Sequence, residues 1–313
     1  MPVATVGLSH SPLIGQNQPA DNIVAAVDAA LDQARAFVRE FDPDLVVLYA
    51  PDHYNGFFYS FMPPFCLASA AAAVGDFGSA TGELSVDAEA AKVLGGGALA
   101  AGIDLTLSAR MKVDHGFAQP LEVLFGGLDT VPVVPVFINS VATPLGPLRR
   151  IRRLGEAIGS IAATLDRRVL FIGSGGLSHD PPAPVLEGAP PRVAKALIAG
   201  TAPTPEQRAR GEQRVLEAGR QYAAGTSSRI PLNPSWDTAV LDTIASGDLT
   251  PFDAWSNDYV QREGGNSGHE IRTWIAAFAS HAAAGPYSLT QRFYRAIPEW
   301  IAGFAVATAT SRD

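Results

Sequence analysis

The chain carries GLSHSP at residues 7–12 and GLSHDP at residues 176–181. The first closes the apolar run VATVGLS (3–9), and the second follows RVLFIGS (168–174). Both runs are short, β-branched and almost continuously apolar, the pattern of strands covered on both faces. A polar Ser-His pair just past each run places an imidazole at a strand's carboxyl end. DLVVLYA (44–50), FFYSFM (57–62), IDLTLSA (103–109) and VPVVPVFI (131–138) read as further strands. Between them lie helix-like segments at 20–41, 86–94 and 147–165, with apolar residues three and four apart. Strands alternating with helices predict an α/β protein: a central, mostly parallel or mixed sheet flanked by helices. Beyond about residue 186 the pattern turns helical, at 203–224, 234–246 and 268–284, which predicts a helical C-terminal third. No low-complexity linker divides residues 1–313, so one domain is expected.

Composition narrows the function. Apolar residues make up 47% and charged residues 17% of 313, the balance of a compact globular chain. A formal net charge of −8 disfavours nucleic acid and anionic membrane surfaces, which need a basic face. The single cysteine, Cys66, excludes an internal disulfide framework and a Cys-rich metal site, and its apolar context predicts burial. The start MPVATVGLSHSP lacks a basic segment followed by an apolar one, and no stretch is long and apolar enough to span a bilayer. The expected location is the cytoplasm, and the expected assembly a homo-oligomer.

Ligands in open α/β sheets gather at the carboxyl ends of strands. Four of the six histidines fall there: His10, His53, His115 in KVDHGF, and His179. His269 and Glu270 begin a helix-like run, and either could enter the same cleft. His281, late in that run among alanines, is expected to be a solvated surface residue. Two imidazoles and a carboxylate with open positions suit mononuclear non-haem iron(II). Zinc uses the same donors in hydrolytic sites, and spacing does not choose between the two metals. The remaining histidines would be free for proton transfer. Asp52 and Asp114 each precede a histidine, and either orient imidazoles or cap loops. GSGGLS (173–178) lacks both the GK[ST] ending of a phosphate loop and the third glycine of a dinucleotide fingerprint. Ser174, in IGSGG, does not sit in a G-x-S-x-G nucleophile elbow.

GLSHSPL, APDHYNGFFYSFMPPFCL, GDFGSATGEL, VDHGFAQPLE, VPVVPVFINSVATPL, RVLFIGSGGLSHDPP, HEIRTWIAAFA and YRAIPEWIAGF together resemble the type III (LigB-like) extradiol ring-cleavage dioxygenases. The likeness runs from the first strand almost to the C-terminus and is weakest over about 186–235. It implies an Fe(II) enzyme that uses O2 to open a small-molecule catechol beside its two hydroxyls. It implies His10, His53 and Glu270 as metal ligands, and His115 and His179 as acid–base residues. His179 is the expected base and His115 the expected acid, with the reverse order open. Within the family the likeness points to catechols with a short acid tail, 3-(2,3-dihydroxyphenyl)propionate and 2,3-dihydroxycinnamate. Tyr54, Phe57 and Phe58 are expected to pack on the substrate ring or in the core. The alternatives are a sister enzyme for another substituted catechol, a zinc hydrolase on the same scaffold, and a non-catalytic binding protein.

Overall fold

A computed structural model describes residues 2–200 and 203–312. In chain order its elements are β1 (Val3–Leu8), α1 (Asp21–Phe41), β2 (Leu45–Ala50), β3 (Phe65–Ala68), β4 (Ala71–Val74), β5 (Thr81–Glu83), α2 (Ala88–Ala100), β6 (Thr106–Ser108), β7 (Met111–Val113) and α3 (His115–Phe125). They continue with β8 (Val133–Ile138), α4 (Leu148–Ala162), β9 (Val169–Ser174), α5 (Pro191–Ala199), α6 (Pro205–Ala223), α7 (Pro234–Ser246), α8 (Asn257–Gly264), α9 (Ile271–Ala284), β10 (Tyr287–Ile297) and β11 (Ala302–Ser311). Eight strands form the main sheet in the order β10-β11-β1-β9-β2-β8-β3-β6; β5, β4 and β7 form a small second sheet.

The four central strands, β1, β9, β2 and β8, are parallel. Their near-continuous apolar runs follow from having helices on both faces. In β2, Leu45, Val47 and Tyr49 enter one core and Val46, Leu48 and Ala50 the other, because side chains alternate along a strand. The first core packs against α2, α4, α7 and α9, the second against α1 and α3. Cys66 lies buried in β3. Strand β9 inserts between β1 and β2, although it follows them by more than a hundred residues. The carboxyl ends of β1, β9 and β2 therefore lie side by side and open one crevice.

Two strand expectations are corrected. The FFYSFM segment is a loop rather than a strand, with one bridge between Phe58 and Phe61. The buried Asp52 carboxylate accepts the backbone N–H groups of Asn55, Gly56 and Phe57, and Tyr54 takes a left-handed φ of 59°. That turn breaks the extended path. IDLTLSA contributes only the edge strand β6. Helices fill much of 191–284, but the C-terminal third also contains the sheet's two longest strands, β10 and β11. β11 is rich in alanine, which strand propensity disfavours; pairing with β1 and β10 decides its state.

His281 is fully buried, not solvated. Helix α9 lies across the sheet and is buried over its first eleven residues, so its alanine-rich sequence marks a core helix rather than a surface one. The His281 ring sits 2.9 Å from Thr5 Oγ1 and 3.3 Å from Ser311 Oγ. Burial pushes its pKa from 6.5 down to about 4. The unfolded chain thus takes up a proton below about pH 6.5 that the folded chain refuses until about pH 4. Stability contributed by the neutral ring is present above that window and lost as pH falls through it. In urea unfolding at pH 7 and pH 4.5, His281→Gln is expected to remove part of the wild-type acid sensitivity, on the order of 2–3 kcal/mol. An unchanged pH slope in the variant would contradict a neutral buried imidazole.

Candidate metal centre

Each of the four histidines is placed by the end of an element. His10 lies two residues past β1, His53 three past β2, and His179 five past β9. His115 is the first residue of α3, where the Asp114 side chain caps the helix by accepting Gly116 N–H. Glu270 closes a single 3-10 turn directly before α9. Two glycines at the end of β9 let that helix start against the strand. A Cβ on Gly173 would stand 2.8 Å from both Thr273 O and Trp274 Cα, and one on Gly175 would stand 2.7 Å from Glu270 Cβ. Thr273 Oγ1 donates to Ser174 O, and Trp274 Nε1 donates to Gly175 O, fixing the approach.

The five residues converge. Glu270 is fully buried. Its Oε2 lies 3.4 Å from His10 Nε2 and accepts the Gly176 N–H at 3.0 Å. Its Oε1 lies 3.2 Å from His53 Nε2 and 3.1 Å from His179 Nε2. Ring nitrogens of His10, His53 and His115 lie within 4.8 Å of one another, and the His53 and His115 rings stack at 4.6 Å. That tightest trio contains His115 rather than Glu270, so proximity alone does not separate metal ligands from proton carriers. His269 is buried without contact to this group, and its Nδ1 has no hydrogen-bond partner among the described residues.

Every one of the four rings is held at Nδ1. His10 Nδ1 lies 2.9 Å from Ser174 Oγ, whose own proton goes to Gly116 O, so the imidazole donates. His53 Nδ1 faces Asp114 Oδ2 at 3.1 Å, and that oxygen also accepts the His53 backbone N–H. His179 Nδ1 donates to Leu177 O. Asp76 holds His115 twice, accepting the backbone N–H at 2.8 Å and facing Nδ1 at 2.6 Å. With Nδ1 protonated, a neutral ring turns the Nε2 lone pair away from its anchor. Lone pairs of His10, His53 and His179 then meet carboxylate oxygens of Glu270. Acceptors facing acceptors at these distances require a proton or a cation between them. A divalent transition ion suits this mixed nitrogen–oxygen set, and the buried acceptors fit one.

The electrostatics agree. Burial pushes His10 down to about 3. Burial also opposes charge on His53, His115 and His179. Asp114 and Glu270 outweigh it and raise His53 well above 6.5, while Asp76 raises His115 and Glu270 raises His179. Burial pushes Glu270 up, but His179 and His10 with their neighbours hold it well below its ordinary value.

Asp76 has no counterpart among the residues expected from sequence. It opens the 3-10 turn after β4, within the GDFG stretch, and the signal that could have found it was an acidic residue at a strand end. Asp114 contacts His53, whereas Asp52 makes its hydrogen bonds to the amides of the following turn. Phe57 stacks on Phe137 at 4.0 Å and belongs to the core. Tyr54 and Phe58 pack with Ala142 and Leu197 beneath α5, and Tyr54 Oη has no hydrogen-bond partner among the described residues.

A protein with this sheet, and this imidazole–carboxylate cluster at its carboxyl edge, has the makings of a metal-dependent enzyme. The family described as the catalytic LigB subunit of aromatic ring-opening dioxygenase matches residues 4–305. The chain belongs to that family of metal-dependent extradiol dioxygenases. It is 56% identical to a Rhodococcus sp protein named 2,3-dihydroxyphenylpropionate/2,3-dihydroxicinnamic acid 1,2-dioxygenase, over 100% of both chains. Proteins of the same name from Rhodococcus jostii (strain RHA1) and Cupriavidus pinatubonensis are 54% and 53% identical, covering 100% and 99% of this chain and 100% and 98% of theirs. A crystal structure of an uncharacterized protein from Escherichia coli K12 shares the fold over 99% of each chain, with a TM-score of 0.50 and 15% identity.

Because Asp114 holds both the backbone and the ring of His53, Asp114→Asn is expected to weaken divalent-metal binding about 10- to 100-fold. Competition against a fluorescent chelator measures this, and unchanged affinity would remove Asp114 from the support of the site.

Proposed function

We propose that this enzyme uses Fe(II) and O2 to cleave 3-(2,3-dihydroxyphenyl)propionate, and 2,3-dihydroxycinnamate, beside the two hydroxyls. The products are 2-hydroxy-6-oxonona-2,4-diene-1,9-dioate and its triene analogue, with both oxygen atoms retained. One observation carries the reading: a single buried carboxylate faces three imidazoles, a fourth stacks beside them, and the chain aligns end to end with relatives bearing this name. The cluster draws residues from 10 to 270, which supports one catalytic domain over 1–313.

His10, His53 and Glu270 would hold the iron. Bound there, Fe(II) would acidify the catechol hydroxyls and supply the redox chemistry that couples the ring to O2. The two remaining histidines differ in what sets their charge. His179 is raised by Glu270, a charge that any bound cation neutralises, so its ring reverts toward the neutral form. Its Nδ1–H stays on Leu177 O, leaving the Nε2 lone pair free to take the second catechol proton. Burial opposes charge on His115, but Asp76 at 2.6 Å, a carboxylate on the far side of the ring from the cluster, outweighs it and favours the protonated form. That suits His115 to protonate the departing oxygen.

Oxygen uptake with 3-(2,3-dihydroxyphenyl)propionate after anaerobic Fe(II) reconstitution tests the function. Stoichiometric uptake with a yellow, pH-sensitive product is expected; no uptake on this substrate or catechol, with iron bound, would overturn it. His10→Ala, His53→Ala and Glu270→Ala are expected to lose iron. His115→Ala and His179→Ala are expected to retain iron while losing about 10²–10⁴-fold in kcat. Iron content by ICP-MS beside turnover checks this division, and equal iron loss in all five would contradict it.

A further inference from the structure

Carboxylates crowd the loops that carry the histidines: Asp52, Asp76, Asp114, Asp180 and Glu270 are all buried there, in a chain of net charge −8. An anionic substrate tail entering here meets repulsion unless one cation is reserved for it. Solvent reaches the cluster mainly at His53, whose side chain is 23% exposed against 10% for His179 and 3% for His10 and His115. The tail therefore projects toward the segment that follows His53.

Helix α6 crosses that segment. Its inward face, Arg208, Glu212, Leu216 and Gly219, recurs at three- to four-residue spacing and touches the loops that carry the histidines. Glu212 Oε1 accepts Phe77 N–H beside the His115 anchor, Leu216 O accepts Asn17 Nδ2 from the loop after His10, and Gly219 packs on the same Asn17. Arg208 Nη1 donates to Asn55 Oδ1 at 3.3 Å. Asn55 Nδ2 in turn donates to Asp114 Oδ2, the oxygen that faces His53 Nδ1. Two hydrogen bonds thus link the guanidinium to the carboxylate that orients His53.

Arg208 is half-buried and, among the described residues, no carboxylate oxygen lies within 4.0 Å of it. The other guanidiniums near these loops are engaged. Arg229 donates to Asp180 O, with the Asp180 carboxylate at 4.0 Å. Arg272 is enclosed, tied to Gly146 O and Asn257 Oδ1. A guanidinium whose fork holds only a neutral amide keeps donors free for a carboxylate.

Resting on the catechol-acid reading above, we propose that Arg208 is the specificity residue that binds the carboxylate of the substrate's side chain. The experiment compares kcat/KM for 3-(2,3-dihydroxyphenyl)propionate and for 3-propylcatechol, which keeps the tail but not its charge, in iron-loaded wild type, Arg208→Gln and Arg208→Lys. Wild type should prefer the acid. Arg208→Gln should cut the acid-to-neutral ratio roughly 10- to 100-fold, mainly through KM for the acid, and Arg208→Lys should restore part of it. An unchanged ratio in Arg208→Gln, or equal loss on both substrates, would overturn the proposal. Wild type that opens both rings with no preference for the acid would also overturn it while leaving ring cleavage intact. Wild type that opens neither ring would overturn the catechol reading itself.

Discussion

A carboxylate fully withdrawn from water, faced by three imidazoles, is the interaction around which this molecule is arranged. Removing Glu270 from solvent carries a large desolvation cost, which only matched partners offset. The Gly176 amide supplies one, and a proton or cation held between Glu270 and the Nε2 atoms of His10, His53 and His179 supplies the rest. Those rings can serve only because each is clamped from behind, by Ser174, Asp114 and Leu177 O. The clamps come from strand ends, helix caps and turns that the sheet order brings together. The inner shell thus depends on an outer one that reaches into the core.

The position of the carboxylate depends in turn on how closely a helix can approach a sheet. Side chains normally hold the two about 10 Å apart. At the end of β9 the sequence withdraws its side chains, and α9 comes down onto bare backbone through Gly173 and Gly175. The 3-10 turn that leads into α9 then delivers Glu270 among the histidines that the loops present. The same close seating buries α9 on all sides and explains why His281 at its far end is also enclosed.

Much of this was readable in the chain. The continuous apolar runs marked the four central parallel strands, and a polar residue pattern just past them marked His10, His53 and His179. What escaped was whatever depends on partners distant in sequence. Asp76 is one acidic residue among many until β4 and α3 are brought side by side. Strand β11 is alanine-rich and has no strand signature of its own, since its state is conferred by β1. FFYSFM has strand-like composition, yet the Asp52 carboxylate, five residues before its first phenylalanine, diverts it by capturing three amides. The burial of His281 is hidden in the sequence because alanines carry no directional information about which side of a helix faces water.

The seating of β1 has a bearing on how the molecule is made. This first strand is hydrogen-bonded on one side by β9 and on the other by β11, which ends at Ser311. At roughly 5–20 residues per second of synthesis, β1 waits roughly 15–60 s after it is made for its neighbour β11. His10 leaves with it, while Glu270 follows only after β2, β8 and β9 have been made. The nascent chain cannot bring the two together until everything between them has emerged, so the centre assembles late, after the strands that carry its histidines have been made.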